Sequence, residues 1–211
     1  MFSIPAPDWP LFVTAVIFLW APLPLFFGKS VEFRELNRSW HRAKSQAVSL
    51  PWHWVDLLRA AAGTWLLQAA MGIDNDVGEA VNVRAVAASG AVLAVGVIIE
   101  TVVRRIPDGF FIPFVYVLGA AAVWFPPVLA VPALITAVLG AVALRTLAAF
   151  LWFLPVTTVG FANWTYPSWA MVGLGAAVPV VAALLPVMFQ RECVFAHRAL
   201  PVDEESLRPL R

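Results

Sequence analysis

"PWHWVDLLRAAAGTWLLQAAMG", residues 51–72, has the length and apolarity of a membrane-crossing helix, yet its first two turns carry Asp56 and Arg59. A helix needs about 20 mostly apolar residues to cross the hydrocarbon core. A charge inside that core is costly, and it points inward to protein or water unless it can reach an interface. Whether residues 51–72 cross a membrane therefore decides the fold, and the rest of the chain decides that question.

Of the 211 residues, 61% are hydrophobic and 13% charged. Soluble domains are nearer half apolar and a quarter charged. Mean hydropathy is +0.82. These values describe an integral membrane protein, and the length suits one domain. A net charge of +1 gives no field that would draw nucleic acid. The single cysteine, Cys193, leaves no intrachain disulfide and no cysteine-based metal cluster. Several of the ten tryptophans (Trp9, Trp52, Trp54, Trp164, Trp169) stand where apolar stretches begin or end, as anchors at headgroup level do. The N-terminus has no basic leader or small-x-small cleavage site, and no lipidation signal is read at either end. Membrane residence is expected from the helices themselves.

Six spans are expected: Trp9 to Phe27, Trp52 to Met71, Arg84 to Val103, Gly109 to about Leu129, about Val131 to Leu154, and Ser168 to Phe189, with a polar tail over 190–211. Prolines interrupt the first, fourth and sixth, and Pro155 ends the fifth. Helices are the default because each backbone polar group must be satisfied within the bilayer. No alternating barrel pattern occurs. The expected fold is therefore an all-α polytopic membrane bundle. Between the first two spans, Lys29, Arg34, Arg38, Arg42 and Lys44 flank a loose apolar side formed by Val31, Leu36, Trp40 and Val48. This stretch reads either as a short interfacial helix touching anionic lipid or as a solvated loop.

Orientation follows the basic residues of short loops. Loop 1 holds five, loop 2 ("GIDNDVGEAVN") none, and loop 3 Arg104 and Arg105. Loops 1 and 3 are then cytoplasmic, the N-terminus is outside, and the location is a cell inner or plasma membrane. The tail conflicts with this scheme: six crossings put it outside, whereas Arg191, Arg198, Arg208 and Arg211 argue for inside. Three crossings within residues 109–162 would restore parity. They would need a tight turn at Arg145, in "AVALRTLAAF", which offers no glycine, proline or asparagine. Six spans remain the expectation. The first and fourth share a loose pattern, "PLFVTAVIFLWAP" and "PFVYVLGAAAVWFP", which reads either as an inverted repeat of the kind found in transporters or as the chance recurrence of aromatic–proline pairs in such a composition.

Four ionisable residues fall inside these spans: Asp56, Arg59, Glu100 and Arg145. At about 100° per residue, Asp56 shares a side with His53, Ala60, Gly63 and Ala70. Glu100 lines up with Gly96, Ser89 and Asn82, and Arg145 with a run of alanines and valines. Small residues mark helix–helix contact in membranes. The four charges are therefore expected to meet as a neutral cluster buried between the second, third and fifth spans, in the inner half of the bilayer. The competing readings are an Arg59 that snorkels to the headgroups and a Glu100 that pairs with Arg104.

No cofactor is implied, and no paired histidines, phosphate loop or catalytic triad is found. His53 stands nearest a span as a candidate ligand contact or interfacial anchor. Three functions fit the sequence. The first is a non-catalytic membrane protein, either an accessory subunit or a small homo-oligomer. The second is a transporter or channel using Asp56, Glu100 and Arg145. The third is an inner-leaflet lipid-modifying enzyme with His53 or Asp56 as base.

Overall fold

Proline decides where several of these helices stop. The computed structural model describes residues 6–21, 51–74, 82–103, 109–111, 113–144, 146, 148–165, 168–189 and 192–194. Helix α1 (Trp9–Trp20) starts at an Asp8 cap, whose carboxylate accepts from the Leu11 N–H at 3.3 Å, and carries a proline in its first turn. It ends at Ala21 (φ −77°, ψ 102°), the extended conformation imposed on a residue that precedes proline, here Pro22. Helix α2 (Pro51–Met71) closes on Gly72 at φ +62°. There the Gly72 N–H donates to Ala69 O and the Ile73 N–H to Gln68 O, a Schellman motif. A Cβ at Gly72 would meet nothing within 4 Å, so replacing it costs backbone conformation alone. Gly72→Ala is expected to lose about 1 kcal/mol in a thermal melt of the purified protein, and Gly72→Asn, which tolerates this conformation, distinctly less.

Five helices follow: α3 (Val83–Val103), α4 (Phe114–Trp124), α5 (Pro127–Ala143), α6 (Ala148–Thr165) and α7 (Trp169–Met188). Helix α4 ends at Phe125, ahead of Pro126 and Pro127. Two three-residue strands, β1 (Gly109–Phe111) and β2 (Glu192–Val194), pair in parallel, with Gly109 opposite Glu192. The helices close a ring in the order α1, α2, α4, α5, α6, α7, α3 and back to α1. Helix α4 also reaches α3 and α7 across the ring. Its inner residues Tyr116, Val117, Ala120 and Trp124 are buried.

The structure is thus a helical bundle, with seven helices among the described residues. Helices α2, α3 and α7 occupy nearly the residues expected of them. The stretch expected as one helix over 131–154 is two helices, broken between Ala143 and Ala148, and α6 runs on through Pro155. The stretch expected as one helix over 109–129 is a strand, the short helix α4, and the start of α5. The first helix is described to Trp20 only, and residues 28–50, expected as an interfacial helix or loop, lie outside the described residues. The sequence between Ala143 and Ala148 offers no glycine, proline or asparagine, and the break coincides with close packing of α5 on α6. Ala133, Ala137 and Ala141 recur every fourth position of α5 and are buried. The Phe153 ring of α6 fills the space beside Gly140. Such small residues let two helices approach closely. The Thr146 N–H then satisfies Ala141 O at 3.1 Å, beyond the last helical turn.

This break changes the parity. The β1–β2 pair sets the chain just after α3 beside the chain just after α7, at one end of the bundle. Six alternating helices would have put those two segments at opposite ends. The other end holds Asp8, whose N–H donates to Ala70 O at 2.9 Å, together with Asp74 and Arg84.

Candidate functional site

The broken end of α1 is the starting point. In an unbroken helix the Phe18 carbonyl would accept from the N–H of residue 22, but Pro22 has none. A buried carbonyl without a donor costs about 1–3 kcal/mol. Arg59 of α2 supplies the donor: its Nη1 lies 2.6 Å from Phe18 O, 2.8 Å from Ala21 O and 3.5 Å from Leu19 O. A cation at a helix C-terminus also answers the helix dipole. The remaining N–H groups of the fork turn to carboxylates. Nε and Nη2 donate to Asp56 Oδ1, one turn back on α2, at 3.1 and 2.7 Å. Nη2 also donates to Glu100 Oε1 of α3 at 2.5 Å. All five N–H donors of the guanidinium are therefore matched to acceptors.

Tyr116 completes the site from α4. Its ring centroid lies 5.2 Å from the guanidinium carbon, and its hydroxyl donates to Leu19 O at 3.2 Å. Gly96 of α3 leaves room for this approach, since a Cβ there would collide with the Tyr116 hydroxyl and Leu19 O. Four helices thus converge on one guanidinium. Asp56, Glu100 and Tyr116 are buried, and Arg59 keeps only 9% of its surface.

Three of the four charges expected to cluster do so: Asp56, Arg59 and Glu100. Arg59 is buried at the end of α1 and does not snorkel to a surface. Glu100 is held by Arg59; Arg104, its expected partner in the competing reading, lies outside the described residues. Arg145 also lies outside them, so the cluster as described holds two acids and one base. Its expected depth rested on an unbroken helix, and the helix before it stops at Ala143. Helices α5 and α6 pack on each other and join the bundle mainly through α4 and α7. The side chain of His53 and the basic residues of loop 1 fall outside the described residues too. Ser89, aligned with Glu100 on α3, has a buried hydroxyl with no hydrogen-bond partner among the described residues.

Sequence reasoning missed Tyr116 and what caps a second helix end. Helix α4 also stops at a tryptophan two residues before proline. Its freed Trp124 carbonyl accepts from Gln68 Nε2 at 3.2 Å. Gln68 stands nine residues beyond Arg59, about half a turn around α2. Trp20 and Trp124 match as well: each indole N–H donates at 3.0 Å to a carbonyl of a neighbouring helix, Val92 and Met171 respectively. The shared Trp-x-Pro pattern was the available signal.

A cleft of about 440 Å³ opens beside the end of α2, lined by Trp65, Gln68, Ala69, Gly72, Ile73 and Asp74. Among the described residues, no three histidine, cysteine or carboxylate side chains converge to hold a metal ion. No family model matches the chain, and no curated protein and no solved structure matches it.

Proposed function

We propose that this chain is a non-catalytic, multi-pass membrane protein whose buried charges fasten helices together, acting as a subunit of a membrane complex or as a small homo-oligomer. Two helices, α3 and α7, are long and apolar enough to cross a membrane. The surface supports more. Six charged residues have described side chains: Asp8, Asp74 and Arg84 are exposed at one end, and Asp56, Arg59 and Glu100 are buried. Between the two ends, Ile17, Leu58, Ile98, Ile135, Leu139 and Val156 turn outward. Large apolar side chains thus face outward on α1, α2, α3, α5 and α6, and apolar surface of this kind suits contact with a membrane or a partner. Seven crossings carry the N-terminus outside and loops 1 and 3 and the tail inside. Arg104, Arg105, Arg191 and Arg198 then share the basic, cytoplasmic side.

The observation that carries the fastening role is the saturated guanidinium. An arginine whose five donors all serve protein acceptors has none left for a solute. A reporter fused after Arg211 is expected to be active only on the cytoplasmic side, and one ahead of Met1 only outside. Proteoliposomes of the wild-type protein are expected to leak protons and monovalent ions no faster than empty ones.

The second reading is a transporter, favoured by two helices that stop inside the bundle. Helix α1 ends at the level of Arg59, about 12 Å short of the start of α2, and α4 begins beside Gly96, about 10 Å short of the end of α3. Discontinuous helices of this kind flank substrate sites in secondary transporters. Gradient-driven flux that Glu100→Gln abolishes, at unchanged thermal stability, would replace the first reading with this one.

A further inference from the structure

We propose that the acceptors around Arg59 form a preorganised guanidinium-binding site. Its resident ligand is the chain's own side chain, and it keeps its shape and its selectivity for a planar cation when that side chain is cut away. The inference rests on the fastening role of this cluster and not on membrane crossing. Five oxygens, from the end of α1, from α2 and from α3, lie within 3.5 Å of the guanidinium nitrogens: the carbonyls of Phe18, Leu19 and Ala21, with Asp56 Oδ1 and Glu100 Oε1. The Tyr116 ring adds a π-face, its centroid 5.2 Å from the central carbon. A guanidinium presents donors all along its edge and a weakly hydrated face, which suits oxygens at the rim and a ring beside them. An ammonium has three donors and no plane, and a sodium ion has no donors at all. The arrangement therefore selects the shape of the cation as well as its charge.

Contacts that do not involve Arg59 hold these oxygens in place. Leu19 is fully buried; its side chain lies against Gly63 of α2 and its carbonyl against Gly96 of α3. That carbonyl also accepts from the Tyr116 hydroxyl at 3.2 Å. The Trp20 indole N–H donates to Val92 O at 3.0 Å and ties the end of α1 to α3. Asp56 and Glu100 stand inside 21-residue helices, not on loops. Sites held this way bind without first ordering their own groups. Arg59 keeps 9% of its surface exposed, so cutting it back to Cβ leaves a pocket with an opening. In the wild-type protein the tethered side chain has an effective concentration that no free solute matches, and the site stays filled from within.

The test uses the full chain carrying Arg59→Ala in maltoside micelles, titrated calorimetrically with methylguanidinium chloride. Millimolar concentrations suffice, far below the molar range in which guanidinium salts denature. Saturable binding is expected, roughly tenfold or more tighter than that of methylammonium chloride, with no response to sodium chloride and none from the wild-type protein. Adding Glu100→Gln to Arg59→Ala should weaken it roughly tenfold or more. Bound methylguanidinium should also restore at least half of the unfolding midpoint that Arg59→Ala loses. Where Arg59→Ala is unfolded without ligand, the folded fraction, read by near-ultraviolet dichroism as methylguanidinium is added, takes the place of the calorimetry. No saturable response, an equal response to methylammonium or sodium, or failure to fold at every methylguanidinium concentration overturns the proposal. The fastening role fails separately, by a ligand-free Arg59→Ala protein that melts with the wild type.

Discussion

Arg59→Met is expected to destabilise the bundle by about 3–5 kcal/mol. The guanidinium is the common partner of Asp56, Glu100 and the carbonyls of Phe18 and Ala21. Methionine fills much of the volume but donates nothing. Two carboxylates then lose their cation in a site where Glu100 is fully buried, and the α1 carbonyls lose their donor. Arg59→Lys keeps the charge and should still lose about 2 kcal/mol, because an ammonium has three donors and no fork for acceptors spread over two helices and a broken end. The informative comparison is the triple variant Asp56→Asn, Arg59→Met, Glu100→Gln. If the single variant suffers mainly from stranded carboxylates, the neutral triple variant regains most of the loss, as replaced buried ion pairs often do. The remaining deficit then measures what Arg59 does for the end of α1. Thermal melts monitored by near-ultraviolet dichroism in a single detergent check all three. An Arg59→Met midpoint within about 2 °C of wild type would remove the fastening role.

Gly119→Val is expected to cost more than about 3 kcal/mol, and Gly119→Ala about 1–3 kcal/mol. A Cβ at Gly119 of α4 would run into the carbonyl oxygen, carbonyl carbon and Cα of Leu57 on α2. Those are backbone atoms and cannot rotate aside, so the two helices must separate. Separation pulls on both polar caps at once: Tyr116 sits three residues before Gly119 and Trp124 five after it. The control is Gly173→Ala on α7, where a Cβ would meet nothing within 4 Å. There the change should be neutral or stabilise by up to about 1 kcal/mol, since alanine is the better helix former. Equal losses at the two glycines, read from chemical or thermal unfolding, would show that the α2–α4 crossing is looser than described.

Much of this arrangement was legible from residue types. Asp56 and Glu100 could be assigned inward faces because Gly63 and Gly96 share their sides. In the structure Gly63 lies against Leu19, and Gly96 against Leu19 and Tyr116. The helix boundaries set by Pro22 and Pro126 follow from local chemistry. What a helix end leaves behind does not. The destination of the Phe18 and Trp124 carbonyls depends on which helix lies alongside, and neither Arg59 nor Gln68 carries a local mark of that role. The turn after Ala143 was illegible for a different reason. The sequence there has no glycine, proline or asparagine, and the contact that brings α5 and α6 together, Phe153 against Gly140, spans both helices. Without that turn the helix count was even, and the basic tail had no consistent side.

The Arg59 cap also imposes an order on synthesis. The Phe18 carbonyl leaves the ribosome 41 residues ahead of its donor, and the second carboxylate of the cluster follows 41 residues after that donor. If the chain spans a membrane as proposed, the first segment carries a half-finished terminus that lipid cannot satisfy until α2 has emerged. Until α3 joins, Arg59 lacks one of its two counter-charges. On that membrane reading, the first three segments are poor candidates for one-by-one release into the bilayer and good ones for retention at the insertion machinery until all three can leave together.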